Sequence, residues 1–348
     1  MNILKYICLP GLLVSGDIQT VSAVESKTDK NPNILVILID DAGYNDFGFM
    51  GSKEMQTPNI DALTSEGVVF TDAHVAATVS SPSRACLITG RYGHRFGYEC
   101  NLSDRTNGLP LEEETIAEVF KTNGYRTAAI GKWHLGSRDE QHPNNRGFDL
   151  FYGMKAGGRD YFYNEKKSDR PGDERNLLLN DRQVKFEKYL TDAFSEKAVE
   201  FINESSQPFM MYLAYNAVHT PMQATDEDMA KFEGHPRQKL AAMTYALDRG
   251  VGTVIRGLKD SGKFDNTLIF FLSDNGGATT NQSSNYPLKG FKGNKFEGGH
   301  RVPYFVVWKN GIPAGKPYDG LVSSLDIFAT AIDAASISKT RNRLDGVS

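Results

Sequence analysis

The chain has 348 residues, of which 40% are hydrophobic and 24% are charged, so it can bury a large core and is not expected to be disordered. Its formal net charge of −4 provides no basic field for a polyanion, which argues against a nucleic-acid partner. If an anionic substrate binds, local lysine, arginine or metal must hold it.

The N-terminal segment has one early lysine, an apolar stretch from Tyr6 to Val14 and a Val-Ser-Ala sequence that ends at Ala23. This order is typical of a secretory signal peptide, so we predict a signal at residues 1–23 and a single exported domain, periplasmic or secreted, at residues 24–348. The apolar stretch is short and interrupted by proline and glycine, and no other segment is apolar enough to cross a bilayer. No membrane span is therefore predicted.

The chain contains three cysteines, and Cys8 would leave with the signal peptide. Cys86 and Cys100 could form a disulfide in an oxidising compartment. Alternatively, Cys86 could be a buried free thiol, because it lies on the apolar face of a predicted helix.

Apolar segments and helical patterns alternate from residue 33 onwards. Strands are predicted at Ile34–Ile39, Arg126–Ile130, the segment that starts at Pro208, Leu268–Leu272 and Tyr304–Val307. Helices are predicted at Ile60–Ser65, Glu113–Lys121, Asp192–Phe201, Lys239–Leu258 and Leu325–Ala334. Residues 137–184 show little periodicity and are interpreted as long loops that form one wall of a cleft. The alternation predicts an α/β fold with a mostly parallel central sheet and helices on both faces.

Four of the predicted strands end in polar residues, and the carboxyl ends of parallel strands meet at one edge of a sheet. Asp40, Asp41, Asp274 and Asn275 would supply an all-oxygen ligand set there, which suits Ca²⁺ or Mg²⁺ better than zinc. Without a metal, three buried carboxylates would repel one another. The alternative is that these residues only cap a helix and form a turn.

Cationic residues are expected at the same edge. Lys132 and His134 are two residues apart and would share one face of an extended segment. His219 follows another strand, and Lys292 lies in the glycine-rich sequence GFKGNKFEGG. A lone histidine is more often structural, but together with Arg84 these residues would suit a tetrahedral oxyanion such as sulfate or phosphate.

The stretch TVSSPSRACLITGRYG places Ser80 just before a predicted helix. Free backbone N–H groups and the positive end of the helix dipole favour an anion at such a position. The alternative is an ordinary helix cap, in which Ser81 or Ser83 caps a helix that begins at Pro82.

These motifs together resemble those of the formylglycine-dependent sulfatases of the arylsulfatase type, in the alkaline phosphatase-like superfamily. The stretch from Ser80 to Arg84 is similar to the family's Cys/Ser-x-Pro-Ser-Arg signature with its Leu-Thr-Gly-Arg tail. The likeness extends from Asn33 to Leu344 through NILVILIDDAGYNDFG, TPNIDALTSEGVVFTDAH, GKWHLG, RGFDLFYG, HTP, SDNGG and GNKFEGGHRVP. The GRYGHRFG sequence is similar to that of bacterial polysaccharide sulfatases.

The resemblance implies a sulfatase catalytic domain that hydrolyses sulfate esters of a polysaccharide or oligosaccharide. It implies one Ca²⁺ ion, with Mg²⁺ as the alternative, and a maturation enzyme that oxidises Ser80 to formylglycine (3-oxoalanine). The hydrated aldehyde would attack sulfur, and its second hydroxyl would later expel sulfate. The implied metal ligands are Asp40, Asp41, Ser80, Asp274 and Asn275.

Roles for the other site residues also follow from the resemblance. Arg84 and Lys132 would steady the modified residue, and Lys132, His219 and Lys292 would hold the sulfate oxygens. His219, helped by Lys292, would protonate the leaving group, and His134 would act as the base that releases sulfate. Sugar contacts could come from residues in the predicted loop wall and after the signature helix, namely Arg159, Tyr161, Tyr163, Arg170, His94 and Arg95.

The chain departs from the family pattern in two ways. Most members have cysteine where this chain has Ser80, and the sequence does not separate a native serine from a Cys-to-Ser substitution. The family normally continues beyond the position of Leu344 into a smaller C-terminal subdomain, which indicates truncation.

Two other functions are compatible with these residues. A phosphatase or phosphodiesterase of the same superfamily would use Ser80 directly, although such enzymes usually need two zinc ions and more histidine ligands than His134, His219 and His300 supply. The third candidate is a catalytically silent protein that binds sulfated glycans.

Overall fold

The computed structural model describes residues 31–101 and 108–348. The described strands are β1 (Asn33–Ile39), β2 (Val68–Phe70), β3 (Ala73–His74), β4 (Arg126–Lys132), β5 (Leu150–Met154), β6 (Leu178–Leu179), β7 (Arg182–Gln183), β8 (Phe209–Ala214), β9 (Thr267–Ser273), β10 (Tyr304–Val307) and β11 (Val322–Ser323). The helices are α1 (Pro58–Thr64), α2 (Ser80–Thr89), α3 (Ile116–Thr122), α4 (Leu190–Glu204), α5 (Asp226–Ala230), α6 (Gln238–Asp260), α7 (Glu297–His300) and α8 (Asp326–Ala334).

A nine-stranded sheet has the order β2-β10-β9-β1-β8-β4-β5-β6-β7, and β3 pairs with β11 in a small second sheet. The five strands β9-β1-β8-β4-β5 are parallel to their neighbours. β10 is antiparallel to both β9 and β2, and the short strands β6 and β7 add an antiparallel edge on the other side. The predicted mostly parallel sheet is confirmed.

Strand β1 shows why the sheet is covered on both sides. All seven of its residues are buried, which is the pattern of a strand with two apolar faces. Leu35, Ile37 and Ile39 pack into one core with residues of α1, α4 and α6. The alternate residues, among them Val36 and Leu38, pack into a second core with residues of α2, α3 and α8. Helices therefore lie on both faces, as expected.

The interpretation of residues 137–184 as loops is partly wrong. This region contains β5, which pairs in parallel with β4 from Ala128↔Leu150 to Lys132↔Met154, and the short strands β6 and β7. β5 has only five residues and includes Gly153, so its own sequence has little strand character. A Cβ at Gly153 would lie 1.9 Å from the carbonyl oxygen of Gly131, so glycine is required for the two strands to approach.

The predicted signal peptide at residues 1–23 lies outside the described residues. Among the helices that are described, none has the length and apolarity needed to cross a membrane. Cys86 is buried and Cys100 is exposed, and both are free thiols, so the alternative of a disulfide between them is wrong for this structure. Burial raises the pKa of the Cys86 thiol to about 11.

Candidate active site

The register of the parallel strands brings the polar strand ends together. Ile39 on β1 pairs with Ser273 on β9, so Asp40 and Asp274 follow at the same level of neighbouring strands. On the other side of β1, Leu38 pairs with Ala214 of β8, and Ala214 also pairs with Gly131 of β4, the residue before Lys132. The backbone N–H of Asp41 donates to Asp274 Oδ1 at 3.2 Å. Residues more than 200 positions apart thus meet at one edge of the sheet.

Ser80 lies among these strand ends. It is the first residue of α2, so the prediction that it precedes the helix was off by one position. Val79 is the N-cap residue and makes no side-chain cap, and Ser81 Oγ instead donates to the His134 carbonyl at 2.7 Å. The alternative of an ordinary Ser81 cap is therefore wrong.

The Ser80 hydroxyl has two acceptors and one proton. Its Oγ lies 3.1 Å from Asp40 Oδ1 and 3.2 Å from Asn275 Oδ1, and all three side chains are buried. One hydroxyl proton can serve only one acceptor well, so three oxygens converge with too few protons between them. A hard cation would satisfy such an oxygen cluster.

Three cations balance the three aspartates at this edge. Arg84 donates to Asp274 Oδ2 through Nε at 3.1 Å and Nη2 at 2.8 Å. Lys132 Nζ donates to Asp40 Oδ2 at 2.7 Å. Lys292 Nζ lies 2.8 Å from Asp41 Oδ1 and 2.8 Å from Asp41 Oδ2. The charges of these six groups sum to zero, so a bound divalent cation would leave an excess of two positive charges for an anionic substrate.

Opposing effects set the ionisation of Asp40 and Lys132. Burial alone would raise the pKa of Asp40, but Lys132, His219 and Arg84 outweigh it, so the pKa lies below its usual value. Burial lowers the pKa of Lys132, and the charge of Arg84 lowers it further, whereas Asp40 opposes this shift. Asp40 is therefore held as a carboxylate, ready to accept from Ser80.

His219 is fixed by its own chain. Its Nδ1 lies 2.6 Å from the Thr220 carbonyl oxygen, so Nδ1 carries the proton and donates to that carbonyl. Its Nε2 is consequently the atom that faces the site, 3.7 Å from Asp41 Oδ2. The ring is part-exposed, so Nε2 can exchange a proton with a substrate or solvent.

His134 has different contacts from His219. Its backbone has a φ of 57°, so the extended geometry predicted to place it on the same face as Lys132 is absent. Burial lowers the pKa of His134 well below the ordinary value, and the charges of Lys132 and Arg84 add to this effect. His134 Nδ1 is buried and, within the described part of the chain, has no hydrogen-bond partner. His134 is thus a neutral imidazole with an unused nitrogen.

The oxygen-rich side chains around Ser80 fit the hard divalent cation that the family resemblance implies. The structure identifies only some of its ligands. One carboxylate oxygen from each of Asp40 and Asp41 and one His219 nitrogen lie within 4.8 Å of one another, and no other such acidic or histidine group occurs in the described ranges. Asp40 and Asp41 belong to this group and to the predicted ligand set. Asn275 Oδ1 adds an amide oxygen beside Ser80. Asp274 Oδ2 is paired with Arg84, so its other oxygen, Oδ1, is the one that could reach a metal. That Asp274, Asn275 and Ser80 are ligands stays a prediction.

Known proteins of one family match this chain over most of its length. The Sulfatase family model matches residues 32–337 of the chain. The chain belongs to the sulfatase family. Over 93% of its length it is 35% identical to the uncharacterized sulfatase YdeN of Escherichia coli strain K12, and over 90% it is 36% identical to arylsulfatase G of Mus musculus. It spans 66% of the length of each of these two relatives, so about two thirds of each is matched.

The solved structure of Ps i-CgsB in complex with k-i-k-neocarrahexaose has a similar fold. Its TM-score is 0.85 at 43% sequence identity, and the match covers 91% of this chain and 75% of that chain. The expected sulfatase-type α/β fold is thereby confirmed.

The sulfatase site includes residues that the sequence did not single out. A Cβ on Gly157 would lie 2.6 Å from His134 Nε2, and one on Gly158 would lie 3.2 Å from His219 Nδ1, so this Gly-Gly pair packs against both imidazoles. Asn281 is buried and donates from Nδ2 to the Asp41 carbonyl at 3.1 Å. Two adjacent glycines that follow a strand after two intervening residues were an available signal for close packing, but β5 itself was not recognised.

Some of the suggested sugar contacts are structural instead. Arg159 is buried and donates to both oxygens of Asp169, at 2.8 and 2.9 Å. Tyr161 is fully buried, and its hydroxyl oxygen lies 2.6 Å from the Asn216 carbonyl oxygen and 2.8 Å from that of His219, so its one proton is shared between these two acceptors. Neither side chain is available to a sugar. His94, Arg95 and Arg170 are exposed and Tyr163 is half-buried, and Arg95 is paired with Asp345 at 2.7 Å.

Proposed function

We propose that this chain hydrolyses sulfate esters of a sulfated saccharide, with Ser80 as the precursor of the reacting group. The observation that carries the proposal is the position of Ser80 Oγ, at the start of α2 and between Asp40 Oδ1 and Asn275 Oδ1. Membership of the sulfatase family supports the reaction class. The 43% identity to Ps i-CgsB, whose structure holds k-i-k-neocarrahexaose, supports a saccharide of that type as substrate.

The chain can hold one hard divalent cation, and we propose Ca²⁺, through Asp40, Asp41, Asp274, Asn275 and the modified Ser80. When bound, the cation supplies Lewis-acid stabilisation of negative charge at this edge of the sheet. Arg84 and Lys132 orient the carboxylates around Ser80, because each donates to one aspartate from a fully buried position. This preorganisation means that little rearrangement is needed during the reaction.

Lys132, Lys292 and His219 are proposed to hold the sulfate oxygens. Lys292 is part-exposed while its Nζ reaches Asp41, so it connects the buried carboxylates to the open side of the site. Charge-assisted hydrogen bonds from these groups would favour a compact oxyanion. Arg84 donates through Nε and Nη2 to Asp274 and through Nη1 to the Lys132 carbonyl, so it acts by holding Asp274 rather than by touching the substrate. Lys132 is equally buried, but its ammonium has three protons and Asp40 accepts one of them, so it can still donate to a sulfate oxygen.

The modification of Ser80 to formylglycine supplies an aldehyde hydrate, whose second hydroxyl offers a route for sulfate release that a serine ester lacks. The oxidation would be made by a separate maturation enzyme, and export to the periplasm or cell exterior is proposed from the N-terminal sequence. Ser80 is only 1% exposed, so the folded chain shields it and maturation before folding is the consistent order.

The two histidines differ in the way that an acid and a base require. His219 donates Nδ1–H to Thr220, so the proton added at Nε2 can pass to the leaving oxygen of the alcohol. His134 remains neutral because its pKa lies well below the usual value, so it can accept a proton when sulfate is released. Two titratable groups with different environments thereby take opposite roles.

The test combines peptide mass spectrometry with a sulfate-release assay. The chain is produced with a formylglycine-generating maturase, and the Ser80 peptide is expected to lack two hydrogens. Free sulfate is then measured over a panel of sulfated mono- and oligosaccharides that includes k-i-k-neocarrahexaose. The matched control is Ser80→Ala, which keeps the fold and should release no sulfate.

The other two functions give different results in the same experiment. Zinc-dependent phosphate release by a chain with intact Ser80 would show a phosphatase. His300 is one of the three histidines that a two-zinc site would need. Its Nδ1 lies 2.8 Å from His74 Nδ1, so this nitrogen already has a hydrogen-bond partner. Saccharide binding without turnover, in protein with modified Ser80, would show a silent glycan-binding protein.

A further inference from the structure

Residues 286–296, which we call the aromatic loop, combine exposed rings with lysines. Tyr286, Phe291 and Phe296 are 71%, 45% and 40% exposed, so their rings lie largely in solvent. Lys289, Lys292 and Lys295 alternate with them, and the loop contains no aspartate, glutamate or arginine. The three lysines give the loop a formal charge of +3 in a chain whose net charge is −4, and one of them, Lys292, is paired with Asp41.

The aromatic loop is attached directly beside Ser80. The backbone N–H of Gly293 donates to the Thr78 carbonyl at 2.7 Å, two residues before Ser80. The backbone N–H of Lys292 donates to the Gly277 carbonyl at 3.1 Å, and its side chain reaches Asp41. The loop therefore borders the candidate active site, and its exposed rings lie within six residues of Lys292 along the chain.

The rings and lysines of the loop remain available to a ligand. Lys289 Nζ lies 4.2 Å from the centroid of the Phe296 ring, which is a cation–π distance. Within the described part of the chain, no carboxylate pairs with Lys289 or Lys295, and both lysines are exposed. Single exposed apolar residues are normal on a soluble surface, but three exposed rings within residues 286–296 concentrate apolar surface in one loop, as binding sites do. Here the rings alternate with Lys289 and Lys295, whose charges are not paired with a described carboxylate.

We propose that the aromatic loop binds a second sugar unit of the substrate, one that carries its own anionic group. The proposal rests on the proposed function, because the loop would hold the unit next to the one that loses sulfate. Aromatic rings provide a flat apolar surface for the C–H face of a sugar at low entropic cost, since they have only two rotatable bonds. Lys289 and Lys295 would pair with the anionic group of that unit. Preference for oligosaccharides over small sulfate esters would follow.

The first experiment measures binding and does not depend on turnover. Affinity for k-i-k-neocarrahexaose and the other saccharides of the panel is measured by calorimetry in a Ser80→Ala background. Phe291→Ala and Tyr286→Ala should each raise Kd about tenfold through lost ring contact. The matched control is Tyr318→Ala, because Tyr318 is also exposed (51%) but lies beside the edge strand β2.

A second pair of variants tests the contribution of the loop lysines to saccharide binding. Lys295→Gln should weaken saccharide binding at low salt, and the difference from the parent should shrink as salt is added, since screening weakens exposed charge pairs. Lys316→Gln removes an exposed lysine outside the loop and should leave binding unchanged. Equal effects of the two substitutions would contradict the charge assignment.

A second experiment separates the aromatic loop from the proposed function. In matured enzyme, Phe291→Ala should raise KM for a sulfated oligosaccharide and leave kcat/KM for 4-methylumbelliferyl sulfate unchanged. Equal losses on both substrates would overturn the proposal for the loop. If wild-type enzyme hydrolyses neither substrate, the proposed function fails, and the calorimetric result alone decides the role of the loop. The proposal for the loop is overturned if no saccharide in the panel binds. It is also overturned if neither Phe291→Ala nor Tyr286→Ala changes the Kd.

Discussion

Lys132 and Asp40 form a fully buried ion pair, with Nζ 2.7 Å from Oδ2 and both side chains at 0% exposure. The pair joins the end of β4 to the end of β1 across the intervening strand β8. The other oxygen of the same carboxylate, Oδ1, accepts from Ser80. One aspartate thus connects the cationic side of the site to the reacting serine, and the consequences can be measured.

Lys132→Met should destabilise the fold, because it leaves Asp40 as a buried charge without its nearest partner. Breaking one side of a buried pair costs about 3–5 kcal/mol. The free energy of unfolding is measured by urea denaturation in the presence of a chelator. The double variant Lys132→Met with Asp40→Asn should recover part of the loss, and a single variant as stable as wild type would contradict the importance of this pair.

Calcium should stabilise the folded chain through the oxygen cluster around Ser80. A ligand that binds only the folded state at one hundred times its Kd adds about 2.7 kcal/mol to the free energy of unfolding. Thermal melts are recorded with EDTA and with increasing Ca²⁺, Mg²⁺ or Zn²⁺. Asp41→Asn should reduce the calcium-dependent rise in Tm, whereas Asp46→Asn, at a buried aspartate that pairs with Arg237, should leave that rise in place. A rise with Zn²⁺ alone would contradict the all-oxygen assignment.

His134 should make stability fall in mild acid. Burial and nearby positive charge hold its folded-state pKa well below the ordinary value of about 6.5. Below that pH the unfolded chain binds a proton that the folded chain does not, so the free energy of unfolding drops by about 1.4 kcal/mol per pH unit until the folded-state pKa is reached. Stability above about pH 7 is unaffected by this group.

The variant His134→Gln removes this contribution, so it tests whether His134 makes the free energy of unfolding fall as the pH is lowered. Unfolding is measured from pH 7.5 to pH 5, and the variant should lose less stability over that range than wild type. His142 and His300, whose pKa values burial also lowers, remain in both proteins and contribute equally. Identical slopes for the two proteins would show that His134 does not titrate as described.

Gly157→Ala should impair turnover because its new Cβ would lie 2.6 Å from His134 Nε2 and 2.6 Å from its Cε1. Displacing a catalytic group by about 1 Å can cost on the order of a hundredfold in rate. Gly158→Ala is expected to have a smaller effect, since its Cβ would lie 3.2 Å from the His219 ring. Steady-state kinetics with Gly315→Ala as control check this order, because Gly315 has no neighbour closer than 3.8 Å. Equal activity of Gly157→Ala and the control would show that the ring tolerates displacement.

Local sequence was sufficient to predict the strands that are continuous apolar runs. The run Ile34–Ile39 and the repeated design before Asp274 both predicted buried strands, and the alternation of strands with helices predicted the parallel sheet. Because parallel strands place their carboxyl ends together, Asp40, Asp41, Asp274 and Asn275 could be assigned to one site before any contact was known. The chemistry of these side chains is a property of the residues themselves.

Other features depend on partners that are distant in the chain. β5 was missed because its strand character comes from pairing with β4 and not from its own five residues. The roles of Gly157, Asn281 and Tyr161 are likewise contacts with atoms of other segments, and nothing in their own neighbourhood specifies those atoms.

The amino-acid sequence by itself predicted five strands of the main sheet, the family resemblance and the set of reactive groups, because apolar periodicity and side-chain chemistry are local. Only the tertiary structure decided how these groups are paired. It pairs Lys132 with Asp40 and Arg84 with Asp274, and it directs His219 Nε2 toward Asp41. It also leaves His134 Nδ1 without a hydrogen-bond partner among residues 31–101 and 108–348. The physical reason is that burial and charge at each atom are set by all the segments that converge there, and their convergence is a property of the packed fold.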